Sequence, residues 1–195
     1  MTKLVIFDLG GVFYNDADVT PKISKELGIS KEQFIKYAKL SGLNELSCGK
    51  ISAVEFWKRF QDVSGIRVTE ELWGKYFKPS LKKETYDLIQ KLKTKYRVVA
   101  GTNTIEPHYK IMQNREDLEV FDRIYASNII GYSKPDQAFY ITILKAEGAS
   151  PAETAFVDDT KANVLSAREL GIKAIHFNDG ADIEKILKEI IDQAL

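Results

Sequence analysis

The chain has 195 residues, of which 44% are hydrophobic, and its 28 basic residues balance 28 acidic ones. This length and apolar content support a buried core and exclude a disordered chain. A neutral net charge provides no global field for nucleic acid or for an acidic membrane, so we expect a small-molecule partner and neither of those.

The composition also predicts the compartment. The single cysteine, Cys48, has no partner for an internal disulfide. The first residues lack the apolar stretch of a signal peptide, and no segment approaches the roughly 18 apolar residues that span a bilayer. We therefore expect a soluble, cytoplasmic protein.

An apolar run at the start of the chain ends at a carboxylate. Residues 3–12 read KLVIFDLGGV, so that Asp8 follows four apolar residues and precedes Gly10 and Gly11. Such a run predicts a strand buried on both faces, and in an open α/β sheet ligands bind beyond the carboxyl ends of the strands. Asp8 is therefore a candidate nucleophile, although this stretch alone also fits an aspartate that only ends a strand and begins a turn.

From about residue 15 to residue 79 the pattern is helical throughout. Ser30 and Ser52 each begin a capping box, with Gln33 and Glu55 three residues later. Each box predicts the start of a short helix.

Aromatic residues recur along this helical segment. Val54, Trp57 and Phe60 follow one another every three residues with Phe56 beside them, and Thr69–Phe77 predicts a further aromatic-rich helix. An aromatic stripe of this kind is typical of a packed core rather than a ligand site. We therefore assign it to the core of a small helical bundle.

From residue 81 onward helices alternate with strands, which is typical of parallel βαβ units. With the first strand, this makes five strands. We predict a doubly wound, Rossmann-like α/β core with a mainly parallel sheet over residues 1–14 and 80–195, and an inserted all-helical cap over 15–79 that acts as a lid over Asp8. The predicted elements are helices at Lys83–Lys93, Pro135–Glu147, Lys161–Leu170 and Asp182–Ile191, and strands at Tyr96–Ala100, Arg123–Ala126, Thr154–Val157 and Ile172–Phe177.

Two further motifs lie at predicted strand ends. Thr102 and Asn103 offer a hydroxyl and turn amides that can hold an anionic oxygen, and Gly101 lets the backbone approach closely. Pro135, at a predicted first helical position, forces the preceding residue into an extended conformation. This conformation directs Lys134 across the strand ends.

An acidic pair follows the next strand. Asp158 and Asp159 end an apolar run, and Asn163 lies four residues beyond Asp159 on the following helix. Clustered hard oxygen ligands of this kind suit Mg²⁺. Each motif alone is an ordinary turn or helix start, whereas their joint order is not ordinary.

That order resembles the complete four-motif series of the haloacid dehalogenase (HAD) superfamily. The resemblance covers essentially the whole chain, and the helical insert resembles the C1 cap of subfamily I. Gly49–Ser52, followed by Glu55 and Phe56, is similar to a cap segment of a branch that includes sugar-phosphate phosphatases.

The resemblance implies phosphoryl transfer. The aspartate that matches Asp8 attacks phosphorus and forms an aspartyl phosphate, which water then hydrolyses. The residue that matches Thr102 binds a phosphoryl oxygen with help from the amide of Asn103. The lysine that matches Lys134 balances the charges of carboxylate and phosphate.

The resemblance also implies a Mg²⁺ site. Its ligands are Asp8, the backbone carbonyl of Gly10 and the acidic pair. By the same alignment Asp159 is the direct ligand, Asp158 acts through water, and Asn163 orients these groups.

The chain departs from the family pattern at one position. Family phosphatases usually carry a second aspartate two residues after the nucleophile, where it serves as general acid and base, and here that residue is Gly10. The Gly10 carbonyl can still bind Mg²⁺, but no side chain at this position can transfer the proton, a step that contributes about 10² to 10⁴ in rate. One hypothesis is that Asp16 or Asp18 replaces it; another is a substrate with a good leaving group.

Three functions therefore compete. The favoured one is a Mg²⁺-dependent phosphatase of a small phosphorylated metabolite, such as a sugar phosphate. A haloacid dehalogenase needs no metal and has little use for Asp158 and Asp159. The third is a non-catalytic or very slow HAD-like protein that binds a phosphoester.

The remaining candidates fit structural roles, and the chain leaves open whether the protein is a monomer or a dimer. His108, expected in an exposed loop, and His176, in the last strand, have no second histidine or cysteine nearby to form a metal site. Lys82 and the lysines after it are interpreted as a solvated helix face.

Overall fold

The computed structural model describes residues 1–178 together with positions 185, 186 and 188. Its strands are β1 (Leu4–Phe7), β2 (Tyr14–Asn15), β3 (Ser80–Leu81), β4 (Arg97–Thr102), β5 (Arg123–Ala126), β6 (Thr154–Asp158) and β7 (Lys173–His176). Its α-helices are α1 (Thr20–Glu26), α2 (Lys31–Leu40), α3 (Leu43–Ser47), α4 (Ala53–Ser64), α5 (Leu72–Tyr76), α6 (Lys83–Leu92), α7 (Glu106–Met112), α8 (Ser127–Ile130), α9 (Gln137–Glu147) and α10 (Lys161–Glu169). Two short 3₁₀ helices cover Glu116–Val120 and Pro151–Glu153.

The core is a parallel sheet of five strands in the order β5-β4-β1-β6-β7. The central strand β1 pairs in parallel with both β4 and β6. Because successive side chains of a strand point to opposite faces, Val5 and Phe7 join one apolar cluster and Leu4 and Ile6 join the other. Helix α6 packs on the first face, and α9 and α10 pack on the second. The prediction of a doubly wound parallel sheet is confirmed.

Between β2 and β3 the structured elements are the five helices α1–α5. The side chains of Ser30 and Ser52 accept hydrogen bonds from the amides three residues later, which confirms both predicted helix starts. The buried stripe of α4 runs through Ala53, Phe56, Trp57 and Phe60. The inclusion of Val54 in that stripe was wrong: its side chain is 80% exposed, because it lies one residue, or about 100°, away from Ala53 around the helix.

The helical segment is connected to the sheet through β2 and β3, which pair in an antiparallel ribbon. The Arg115 guanidinium lies over the Tyr14 ring, donates to the Tyr14 hydroxyl at 2.9 Å and to the Pro79 carbonyl at 3.1 Å, and forms an ion pair with Asp117. Arg115 therefore contacts both connections between the helical segment and the core, at β2 and just before β3. Sequence analysis missed this ribbon because strands of two residues leave no periodicity.

Other boundaries moved by a few residues. Helix α9 begins at Gln137 rather than at Pro135, because Asp136 caps it by accepting from the amide of Ala138. Helix α5 begins at Leu72, with Glu71 as its cap. The predicted closing helix over 182–191 lies largely outside the described residues. Within the described part of the chain, none of the helices has the length and apolar character needed to cross a membrane.

Candidate active site

The carboxyl ends of β1, β4 and β6 lie side by side and bring the predicted motifs together. Asp8 directly follows β1, and its amide donates to the Val157 carbonyl of β6 at 2.9 Å. Thr102 ends β4 and Asp158 ends β6. The sheet register therefore aligns these side chains without any contribution from the helical segment.

Lys134 is the buried cation of this cluster. Its Nζ lies 2.8 Å from Asp8 Oδ1 and 2.7 Å from Asp158 Oδ2, and it donates to the Gly101 carbonyl at 2.9 Å. Only 4% of the residue is exposed. Since a buried ammonium has few alternatives to these oxygens, its three partners fix its position.

Asn103 holds the backbone of Lys134. The Asn103 Oδ1 accepts from the Lys134 amide at 2.8 Å, and the Asn103 Nδ2 donates to the Lys134 carbonyl at 2.8 Å. The side chain of Asn103 is thus engaged in positioning Lys134. Thr102 is buried beside it, and its hydroxyl has a long 3.4 Å contact with the Asn103 carbonyl, so that it can turn to a better acceptor.

The two acidic residues of the pair differ in environment. Asp158 is fully buried, and besides Lys134 its carboxylate accepts from the Thr160 amide at 2.7 Å and from Asn163 Nδ2 at 3.1 Å. Asp159 is exposed, and its oxygen accepts from the Thr160 hydroxyl at 3.3 Å. Asp159 therefore offers more free lone pairs to an added cation than Asp158 does.

The residues fit a hard divalent cation. Asp8, Asp158 and Asp159 offer carboxylate oxygens that all lie within 4.8 Å of one another, and carboxylate oxygens are the ligands of Mg²⁺. Gly11 shapes this group, because it has a φ of +74° and a Cβ on it would overlap the Asp159 carboxylate. Only glycine satisfies both conditions without strain.

The charges of the site are unbalanced. Burial raises the pKa of Asp8 to about 6, with the Lys134 ammonium lowering it and the Asp158 carboxylate raising it. Although Asp159 is exposed as a residue, partial burial of its carboxyl group raises its pKa, and the neighbouring Asp158 carboxylate adds to that shift. One ammonium among three carboxylates leaves excess negative charge, which a divalent cation neutralises.

Neither proposed substitute for the missing acid contacts Asp8 in the described part of the chain. Asp16 accepts from the Ser80 hydroxyl at 3.1 Å. Asp18 accepts from the Thr20 amide at 2.9 Å and pairs with Lys31 at 2.8 Å. Burial raises the pKa of Asp18, but the hydrogen bonds with Lys31 and Thr20 outweigh this effect and hold the pKa below its usual value. The Asp18 carboxyl group is therefore ionised at neutral pH.

Sequence analysis missed two residues beside the site. Lys82 was interpreted as part of a solvated face, but its Nζ donates to the Gly11 carbonyl at 2.7 Å and its chain is half-buried. His108 lies on α7 rather than in an exposed loop, and its ring stacks on Phe77 with centroids 4.0 Å apart. Because the Gly11 carbonyl lies about 70 positions from Lys82, the sequence around Lys82 gives no indication of this contact.

Residues 2–171 match the haloacid dehalogenase-like hydrolase family. The chain belongs to this family. Its membership confirms the resemblance drawn from the four motifs, and it identifies the chain as a HAD-family hydrolase.

Individual relatives are similar over their whole length. The D-ribitol-5-phosphate phosphatase of Bacteroides thetaiotaomicron is 29% identical over 98% of this chain and 100% of its own. A sesquiterpene phosphatase of Aspergillus oryzae is 28% identical over 97% of this chain and 96% of its own. Among solved structures, the HAD family enzyme BT-2542 of B. thetaiotaomicron, in complex with magnesium and inorganic phosphate, has a TM-score of 0.77 and 26% identity, with 95% of this chain and 99% of that chain covered.

Proposed function

We propose that this chain is a Mg²⁺-dependent phosphatase of a small phosphorylated metabolite, such as a sugar or polyol phosphate. The observation that carries the proposal is the buried ion pair of Asp8 with Lys134 beside the acidic pair. Two relatives are named as phosphatases, and a solved neighbour holds magnesium and phosphate. A dehalogenase has little use for three clustered carboxylates, so this alternative is disfavoured.

The proposed mechanism assigns the steps of phosphoryl transfer to individual residues. The Asp8 carboxylate attacks phosphorus in line, the ester oxygen leaves, and water then hydrolyses the aspartyl phosphate. Lys134 offsets the negative charge that accumulates between carboxylate and phosphoryl group. The Thr102 hydroxyl and the backbone amide of Asn103 bind phosphoryl oxygens.

The metal site uses the same strand ends. Asp8, the Gly10 carbonyl and Asp159 would hold Mg²⁺, which when bound supplies the positive charge that lets an anionic nucleophile approach an anionic phosphate. Asp158 acts indirectly, because its oxygens already accept from Lys134, Thr160 and Asn163, and Asn163 keeps it oriented. Residues 15–79 form the proposed cap over this site.

Gly10 determines which leaving groups react well. A Cβ at this position would lie 3.4 Å from the Ala17 Cβ, so that a side chain fits with a small adjustment. With glycine there, protonation of the departing oxygen falls to water. We expect Gly10→Asp to increase turnover of an alkyl phosphate by about tenfold or more, and that of p-nitrophenyl phosphate, whose leaving group needs little protonation, far less.

The direct test is phosphate release from a panel of phosphorylated metabolites, with Mg²⁺ and with EDTA. Wild-type activity should require Mg²⁺, and Asp8→Asn should abolish it. Asp16→Asn and Asp18→Asn test whether either residue supplies the missing acid, which would change the pH profile of phosphate release. Activity in EDTA or in Asp8→Asn would overturn the mechanism. Halide release without phosphate release would indicate a dehalogenase, and binding without turnover a non-catalytic protein.

A further inference from the structure

None of the proposed Mg²⁺ ligands lies on β7, yet the carboxyl end of this strand lies beside the acidic pair. Asp158 and His176 are register partners in the parallel pairing of β6 with β7. The amide of the next residue, Phe177, donates to the Asp158 carbonyl at 2.9 Å. The end of β7 therefore lies against the turn that carries the two carboxylates.

The side chain of His176 reaches the same turn. Its Nε2 lies 2.8 Å from the carbonyl oxygen of Asp159. Because a carbonyl oxygen accepts and does not donate, Nε2 carries the proton of this hydrogen bond. His176 thus binds the backbone of the residue proposed as a direct Mg²⁺ ligand, without occupying the carboxylate of that residue.

Packing does not account for the position of this ring. The neighbours of His176 in the chain, Ile175 and Phe177, are buried, whereas His176 itself is exposed. An exposed ring contributes little to the hydrophobic core, since that contribution scales with the apolar area removed from water. The hydrogen bond to the Asp159 carbonyl is the contact that orients the ring.

Asp159 depends on its backbone more than Asp158 does. The Asp158 carboxylate accepts from the Lys134 ammonium at 2.7 Å and from the Thr160 amide at 2.7 Å, and both bonds fix it directly. The Asp159 carboxylate accepts from the Thr160 hydroxyl at a longer 3.3 Å. Its location therefore follows from the backbone that carries it, and His176 holds that backbone.

The end of β7 also supports the nucleophile turn, which contacts the same carboxylate. A Cβ on Gly11 would overlap the Asp159 carboxylate, so the two turns lie against each other there. The Lys82 ammonium donates to the Gly11 carbonyl at 2.7 Å and lies 5.2 Å from the centre of the Phe177 ring. Both turns that carry proposed ligands are thus supported from β7, one by His176 and the other by Phe177 through Lys82.

We propose that His176 is a positioning residue of the Mg²⁺ site: its Nε2–H holds the Asp159 backbone, and this places the Asp159 carboxylate for the cation before the cation binds. This inference rests on the proposed phosphatase function and adds to it a residue that touches neither metal nor substrate. Without the hydrogen bond, Mg²⁺ binding has to order the acidic turn, and affinity for the metal falls. Once Mg²⁺ saturates the site, the chemical step is unchanged.

The test compares His176→Ala and His176→Gln with wild type by isothermal titration of Mg²⁺ into the protein without substrate. Alanine lacks the donor, whereas glutamine retains a side-chain N–H of similar reach. We expect His176→Ala to bind Mg²⁺ about three- to tenfold more weakly, as the loss of one hydrogen bond predicts, and His176→Gln to recover most of the affinity. In His176→Ala the Mg²⁺ concentration for half-maximal phosphate release should rise by the same factor, with kcat at saturating Mg²⁺ within about twofold of wild type.

The matched control is Arg168→Met. Arg168 is also exposed, and it donates to a backbone carbonyl of β7, that of Ala174, at 2.7 Å. The variant removes the same kind of hydrogen bond from the same strand, two residues before His176. It should leave the affinity for Mg²⁺ unchanged.

Equal Mg²⁺ affinity in wild type and His176→Ala would overturn the inference. An equal loss in Arg168→Met would do so too, because it would reflect a general loosening of β7, and failure of His176→Gln to recover affinity would show that the hydrogen bond is not the cause. If wild type binds Mg²⁺ but releases no phosphate, the phosphatase function fails, while the calorimetric comparison still decides the role of His176. If wild type does not bind Mg²⁺, the metal site is refuted and this inference with it.

Discussion

Comparing Gly11→Ala with a control variant distinguishes an effect on the stability of the fold from an effect on the affinity for Mg²⁺. A Cβ at Gly11 would overlap the Asp159 carboxylate, which is the mobile end of a side chain and will move away. The same substitution forces alanine into a φ of +74°. The matched control is Gly65→Ala at the end of α4, which has a φ of +72° and nothing within 4 Å of its Cβ.

Both variants should lose stability to a similar extent, and only one should lose the metal. Left-handed backbone strain costs roughly 1 to 2 kcal/mol, which lowers Tm by roughly 2 to 8 °C in a protein of this size. Displacement of Asp159, a ligand of the proposed metal site, should weaken Mg²⁺ binding by at least about tenfold in Gly11→Ala alone.

The assay is the Mg²⁺ dependence of phosphate release, with isothermal titration of Mg²⁺ and thermal unfolding measured on the same samples. If Gly11→Ala binds Mg²⁺ as tightly as wild type, the overlap with Asp159 has no bearing on the metal site. If Gly65→Ala loses as much affinity, the loss reflects general destabilisation. Either result refutes the reasoning.

Three further substitutions test the surroundings of the site. Asn103→Ala removes two hydrogen bonds to the Lys134 backbone and should reduce kcat/KM by about 5- to 30-fold. Asn103→Asp sets a carboxylate against the Lys134 carbonyl and should reduce kcat/KM further. Unchanged phosphate release in both variants would show that Lys134 needs no such support. Lys82→Met retains the aliphatic stem but loses the donor to the Gly11 carbonyl, so the Mg²⁺ concentration for half-maximal activity should rise several-fold. If circular dichroism shows only more unfolded protein, with no change in the Mg²⁺ dependence, this role of Lys82 is contradicted. Ser127→Ala removes a buried hydroxyl that bonds the Ser47 carbonyl and the Thr104 backbone, so urea denaturation should show a loss of about 1–3 kcal/mol, and a change under about 0.5 kcal/mol would argue against that bridge.

The sheet and the strand-end motifs were predictable because their signals are local. The run of apolar residues before Asp8 marks a strand buried on both faces, and parallel strands bring their carboxyl ends to one edge. The prediction of Lys134 beside Asp8 also rests on the proline that follows it and on the resemblance to the family. The contact of Lys134 with Asp158 follows from the same geometry.

The remaining features depend on tertiary packing. Nothing in the local sequence distinguishes Lys82 from the solvated lysines after it, because its partner, the Gly11 carbonyl, lies 71 positions away. His108 follows a proline and suggested a loop, whereas in the structure that proline occupies the first turn of α7. The sequence around Gly11 likewise gives no sign of the Asp159 carboxylate that a Cβ at this position would overlap.

The contacts of Arg115 constrain how a substrate reaches the buried carboxylates. The Arg115 guanidinium binds the Tyr14 hydroxyl of β2 and the Pro79 carbonyl just before β3, so the two segments that connect the helices to the core are fastened to each other. We therefore do not expect the helical segment to rotate freely about its two connections to the core. We expect the helical segment to open instead at the contacts between Ser127 and the Ser47 carbonyl and between the Gly49 backbone and Asn128. In the proposed enzyme, we expect the rate of product release to depend on how often these contacts break.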